Sequence, residues 1–166
     1  FNYTNVFASI NYNKSIDNIR TESLFQPGNV IRVSSPFNSP FADESVSANG
    51  RFQRTFGKIR GTIRANFNYS KFNQFIQGMR SVNESYTQNY GAQLRTNFRT
   101  APNVEIGYSY RIQDNQQGRG GSTKFYTKIP SIEVDALIFK TFTFRTDYTS
   151  TNFSDQNKTI DNTFEF

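Results

Sequence analysis

Six arginines, Arg51, Arg60, Arg64, Arg95, Arg111 and Arg145, fall on the polar side of segments in which apolar and polar residues alternate. A guanidinium stays charged at any physiological pH and presents a planar fork of donors, so a strip of them suits carboxylates and phosphates. That chemistry is recognition rather than bond cleavage. The chain has neither His nor Cys, which excludes Ser-His catalysis, imidazole or thiolate metal ligation and a disulfide framework. An acid–base site would have to be made of carboxylates alone. Glu133 and Asp147 are the pair expected to face one another, and Arg145 beside them supplies a structural reason for both. No enzyme activity, metal or cofactor is therefore expected. The basic strip either meets an acidic partner (a plug domain, an anionic solute, or lipid phosphates at the rims) or is a solvated wall whose charges keep one face wet.

The elements that carry these arginines are read best at Lys58 to Lys71. Ile59, Gly61, Ile63, Ala65, Phe67 and Tyr69 point one way, and Arg60, Thr62, Arg64, Asn66, Asn68 and Ser70 the other. A period of two marks a strand between unlike environments. Strands of soluble proteins usually have about 5–6 residues, whereas a tilted crossing of a bilayer takes roughly 9–11. This one is long enough to place lipid on one side and water on the other.

The pattern recurs. Val6, Ala8, Ile10 and Tyr12 form one apolar face; Val46, Ala48, Gly50, Phe52 and Phe56 form the next, opposite Ser45, Ser47, Asn49, Arg51, Gln53 and Thr55. Further along come Tyr86, Tyr90, Ala92, Leu94 and Phe98, then Val104, Ile106, Tyr108, Tyr110 and Ile112. Ile132, Val134, Ala136 and Ile138 oppose Glu133 and Asp135, and Phe142, Phe144 and Tyr148 oppose Thr143, Arg145 and Asp147. A last strand starts near Thr159. About eight meandering strands are predicted, all-β and antiparallel up-and-down, forming an open partial transmembrane β-barrel as a single domain over 1–166.

Connections are expected to alternate in kind. Gly57-Lys58, Thr100-Ala101-Pro102 and Phe139-Lys140-Thr141 read as tight turns. Ser15 to Asp43, Asn73 to Asn83, Asn115 to Ser122 and Asp155 to Lys158 read as longer polar loops, the first holding Pro27, Pro36 and Pro40. Short turns on one rim and long loops on the other match an outer-membrane barrel. The first turn sets Arg51 opposite Arg64 and Thr55 opposite Arg60; the third sets Asp135 opposite Arg145 and Glu133 opposite Asp147.

Aromatic residues are expected to form two belts. Tyr12, Tyr69, Tyr86, Tyr110, Tyr126 and Tyr148 lie toward the long-loop ends, and Phe56, Phe98 and Phe142 at the short-turn ends, in the manner of interfacial girdles. Ile59 to Tyr69 spans about 33 Å along a strand, or roughly 23 Å at a ~45° tilt, close to the ~25 Å apolar band of such barrels. A soluble β-sandwich with an aromatic inner face also explains the alternation, but not the strand length or the sorting of loops and rings. Pro130 removes a ladder donor inside the sixth strand and suggests a bulge or a position above the membrane.

Composition agrees. Among 166 residues, 35% are hydrophobic and 16% aromatic, and the net charge is +6; mean hydropathy is −0.67. No run approaches the ~18 apolar residues of a transmembrane helix. The aromatics lie on the opposite face from the arginines, the wrong arrangement for joint base stacking and phosphate binding, so nucleic acid is not an expected partner. Phe1 follows no signal-peptide pattern, as expected of a processed chain or an internal piece. Gly118-Arg119-Gly120-Gly121 lacks the Lys-Ser/Thr and helix of a phosphate loop and reads as an external loop. The sequons at Asn68, Asn83 and Asn157 are what chance gives in so Asn-, Ser- and Thr-rich a chain.

One stretch carries a family likeness: Asn-Glu-Ser-Tyr-Thr-Gln-Asn-Tyr from Asn83, Leu-Arg-Thr-Asn-Phe from Leu94, and Ala-Pro-Asn-Val-Glu-Ile-Gly-Tyr from Ala101. With Ser35-Pro36-Phe37-Asn38 and the closing Asn162-Thr163-Phe164-Glu165-Phe166, the chain resembles the outer-membrane β-barrel family allied to TonB-dependent receptors. The resemblance implies a large barrel, typically of about 22 strands around a plugged lumen, in which this chain is a fragment toward the C-terminal end. It further implies active uptake, with outer-membrane lipid, a plug domain, the remaining barrel strands and a TonB-type energy complex as partners. A complete eight-stranded outer-membrane barrel with a structural or adhesive role is the second reading.

Overall fold

In the computed structural model the chain is described at residues 2–25, 28, 32–76, 78–98, 102–118, 121–138, 142–155 and 158–165. The elements are β1 (Asn2–Ser15), β2 (Asn18–Phe25), β3 (Arg32–Ser39), β4 (Asp43–Phe56), β5 (Ile59–Ile76), β6 (Met79–Thr96), β7 (Asn103–Gln117), β8 (Ser122–Ile138), β9 (Phe142–Asp155) and β10 (Lys158–Glu165). No helix occurs among the described residues. The protein is all-β, and its strands form one sheet in the order β1-β4-β5-β6-β7-β8-β9-β10, with every neighbouring pair antiparallel. β2 and β3 form a hairpin off this path, and β2 joins β5 through one parallel bridge, Ser23 to Ile76. Among the described residues β1 and β10 end the path without pairing to each other.

The tight turns fix the register. Gly57 has φ 58° while Lys58 stays at negative φ, the arrangement of a two-residue turn with glycine first, whose twist suits a hairpin. It pairs Phe56 with Ile59 and carries the ladder to Glu44–Lys71, placing Arg51 opposite Arg64 and Thr55 opposite Arg60 as expected. Residues 139–141 lie outside the described ones, yet Asp135–Arg145 and Glu133–Asp147 pair as that turn requires. Thr100 and Ala101 also lie outside. The ends they join are clasped by Asn103, whose Oδ1 accepts from Phe98 N at 2.6 Å and whose Nδ2 donates to Phe98 O at 3.3 Å.

Much of the predicted long loops is strand among the described residues. β5 and β6 stay paired from Phe72–Asn83 up to Ile76–Met79, with Gly78 at φ 74° between them. Ser15 to Asp43 contains the β2–β3 hairpin, β7 runs on to Gln117, and β9 and β10 approach to Asp155 and Lys158. The eight meander strands are present, but the hairpin makes ten. Loss of alternation was a poor signal of strand end. Alternation records an apolar and a polar surrounding on the two faces, and a ladder whose covered face is held by polar groups such as the buried Asn73 shows none. Polar side chains pair across it instead, as Asn83 Nδ2 does with Gln74 Oε1 at 3.1 Å. Pro36 therefore lies in a strand, opposite Thr21 in β3. It is tolerated because β3 pairs only with β2 among the described residues, leaving a free edge where a missing N–H costs little. Pro130 produces no bulge: Lys128–Asn152 and Ser131–Thr149 keep one register on either side of it.

The sheet is a single layer. No apolar side chain among the described residues is buried, and Ile10 and Ile63 are 77% and 60% exposed. The accessible surface is 12029 Å², against about 8,400 Å² for a globular monomer of this mass. A second packed sheet, as a sandwich requires, is absent among the described residues.

Candidate functional site

Strand pairing sorts side chains onto two faces that persist from strand to strand. One carries a continuous apolar row structure, Val6–Phe52–Ile63–Ala92–Tyr108 and Ala8–Gly50–Ala65–Tyr90–Tyr110. The other carries Asn49–Asn66–Asn89–Arg111 and Thr55–Arg60–Arg95–Glu105–Glu133–Asp147. All six arginines of the sequence strip lie on this polar face.

The strip divides by counter-charge. Arg145 Nε lies 2.6 Å from Asp135 Oδ1 and 3.6 Å from Glu133 Oε1, and Arg95 Nη1 lies 3.4 Å from Glu105 Oε2. Glu105 is also held by Gln93 Nε2. Arg51 instead donates to Gln53 Oε1 at 2.8 Å, and Arg111 Nε donates to Asn89 Oδ1 at 2.6 Å. Among the described residues no carboxylate forms an ion pair with Arg51, Arg60, Arg64 or Arg111. Arg51 faces Arg64, and Arg60 faces Arg95, like charges that disfavour the pairing unless water or an anion screens them. Glu133 and Asp147 do face one another, with Arg145 bound to Glu133. The described residues hold no group of three or more acidic side chains arranged to grip a metal.

A hollow of about 350 Å³ opens between Arg64 and Arg111, lined also by Asn66, Asn89, Ser109 and Thr127 and by Ile129, Tyr90 and Tyr110. Beside it Gly91 lies opposite Arg64 on one side and Ser109 on the other. A Cβ at Gly91 would stand 2.6 Å from Arg64 Nε and 2.9 Å from its Cγ, so the arginine lies along the sheet in a notch only glycine leaves.

The aromatic groups are placed less simply than two belts. Tyr12, Val46, Tyr69 and Tyr86 share one row, with the Tyr69 and Tyr86 rings 4.8 Å apart. Tyr126 stacks on Tyr110 at 6.4 Å and 11°. Tyr69, Tyr86, Tyr110 and Tyr148 all lie mid-strand, in β5, β6, β7 and β9, rather than toward a strand end. Phe56 closes its row opposite Ile59, and Phe98 lies beneath Lys58, whose Nζ is 5.3 Å from the ring. Phe142 begins β9 opposite Ile138; its side chain lies outside the described residues, as do Arg119 and Gly120 of the glycine-rich stretch and Asn157.

Three features were not foreseen. Arg54 lies on the apolar face, its guanidinium 4.5 Å from the Phe56 ring centre, the position of a cation reaching out from an apolar surface. Phe125 and Phe153 stack at 5.2 Å on the polar face, out of phase with Tyr126; that phase break is a signal the alternation did contain. The third is a node where the hairpin meets the sheet. Asp43 Oδ1 accepts from Asn73 N at 2.9 Å and Nδ2 at 3.2 Å, its Oδ2 accepts from Asn18 Nδ2 at 2.9 Å, and Arg20 pairs with it. Arg80 donates to Asn73 Oδ1 at 2.8 Å and covers the Phe41 ring at 3.7 Å, while Phe37 and Phe75 meet edge-on at 4.7 Å. Asn73 is 1% exposed.

Comparison with protein-family models, with curated proteins and with solved structures finds no match.

Proposed function

We propose that this chain forms part of the wall of an outer-membrane β-barrel transporter resembling the TonB-dependent receptors, its apolar face against lipid and its arginine-bearing face toward a water-filled lumen. One observation carries the reading: strands of 14 to 18 residues in the centre of a single-layer sheet expose a largely apolar face, interrupted at Arg54, Gln88 and Lys128, that no described residue covers. Water would make that face a heavy liability, because a patch of this extent exceeds the few hundred Å² a soluble monomer tolerates. Lipid removes the liability. Arg54 over Phe56 and Lys58 over Phe98 cluster at the short-turn rim, where cations would reach lipid phosphates.

Beyond Tyr69 and Tyr86 the β5–β6 arm continues to Ile76 and Met79, with the β2–β3 hairpin docked against it. In this reading the arm stands outside the membrane as an external wall for solute capture. A plug in the lumen, further strands beyond β1 and β10, and an inner-membrane energy complex are the partners it implies. The protein is expected to fractionate with outer membranes and to migrate faster on a detergent gel before boiling than after. Recovery as a water-soluble monomer without detergent would refute the proposal. The eight strands of the meander favour one second reading, a complete small barrel closed between β1 and β10.

A further inference from the structure

We propose that the hollow between Arg64 and Arg111 binds a small solute bearing both an oxyanion and neighbouring hydroxyls, such as a sugar acid. This inference rests on the polar face being the aqueous one. The arginines of that face differ in their partners. Arg95 and Arg145 have carboxylate partners at 3.4 Å and 2.6 Å, whereas the hollow's lining includes two guanidiniums and no carboxylate. A site built only to keep a wall wet has no need to separate its charges in this way.

Both guanidiniums are preorganised. Arg111 is held by Asn89 at 2.6 Å, and Arg64 is laid down in the Gly91 notch. The two arginines stand on β5 and β7, either side of β6, so their backbones are about 10 Å apart across the ladder. Side chains of their length reach a common anion from that separation, and little rotamer freedom remains to be lost on binding. Polar side chains accompany them. Asn66 and Asn89 are direct ladder partners, Ser109 pairs with Gly91, and Thr127 pairs with Arg111. Asn89 has its amide NH2 left for a ligand once its oxygen serves Arg111. Amides and hydroxyls side by side fit vicinal hydroxyl groups, which a bare ion lacks. A volume of about 350 Å³ admits a single sugar ring.

The test is calorimetric titration of the full-length protein in detergent with glucuronate, glucose and inorganic phosphate. Glucuronate is expected to bind best. Arg64→Gln and Arg111→Gln should each weaken it about tenfold or more, as loss of a charge-assisted hydrogen bond does. Arg54→Gln, on the other face, should leave it within roughly twofold. Absence of glucuronate binding, or binding that neither polar-face variant weakens, would overturn the site. Glucose binding equally well would overturn the anion, and phosphate binding equally well the hydroxyls. Gly91→Ala keeps every charge and should still weaken binding, which separates lost geometry from a folding defect in the arginine variants. A label at Asn66 distinguishes the two readings: if it is water-exposed in bilayers and glucuronate fails to bind, only the site falls, whereas a lipid-exposed label brings down the wall reading with it.

Discussion

Arg64 lies across Gly91, so close that a Cβ there would meet its Nε at 2.6 Å. The glycine is not needed for its backbone, since its φ is not positive. It is needed for room. Gly91→Ala should therefore shift unfolding by no more than about 1 kcal/mol, because a flexible arginine can give way. It should nevertheless lower glucuronate affinity. Equal affinity in Gly91→Ala would mean that the resting position of Arg64 does not matter.

Asp43 ties the hairpin to the β5–β6 arm through Asn18, Arg20 and Asn73. Asp43→Ala leaves Arg20, whose Nε already lacks a partner, without its counter-ion, and leaves the buried Asn73 short of an acceptor. The expected cost is about 2–3 kcal/mol, paid locally. Limited proteolysis should cut between residues 18 and 39 much faster than in the unaltered protein, with cleavage of the rest of the sheet unchanged. Unchanged cleavage would mean that the Phe37–Phe75 and Arg80–Phe41 contacts hold the hairpin alone.

Ile63 and Asn66 lie on opposite faces of one strand. Arginine at Ile63 should destabilise the protein in bilayers by about 2–4 kcal/mol, the cost of a lipid-facing cation near the midplane, whereas arginine at Asn66 should be nearly neutral. Chemical unfolding in liposomes measures both. Equal penalties would remove the distinction between the faces.

β1 and β10 separate the two readings of the barrel. Cysteine pairs joining positions 6–10 of β1 to 161–165 of β10 should fail to form disulfides if further strands lie between them. Efficient cross-linking of one register would establish the closed eight-stranded form.

What could be read from residues alone was the part governed by local rules. A two-residue turn at Gly57-Lys58 dictates its ladder, so Arg51–Arg64 followed directly, as did Asp135–Arg145 from the third turn. The far part of β5 and β6 was not legible, because Asn73, Gln74, Ser81 and Asn83 are polar on both faces and no period survives, although Asn73 is buried by the hairpin. Nor was the Asp43 node, whose partners at Asn18 and Asn73 are brought together by the hairpin's fold-back. The Gly91 notch was hidden for a similar reason: a glycine in an alternating strand looks the same whether it merely fills a position or receives an arginine from the next strand.

The central claim is that the two faces meet different solvents, and spin labelling tests it most directly. Nitroxides on single cysteines at positions 63 to 68 of this Cys-free chain, in the full-length protein in bilayers, should alternate in collision with oxygen and with an aqueous nickel chelate. Labels at Ile63, Ala65 and Phe67 should favour oxygen, and labels at Arg64, Asn66 and Asn68 the chelate. Equal access of the chelate to both sets would contradict the account.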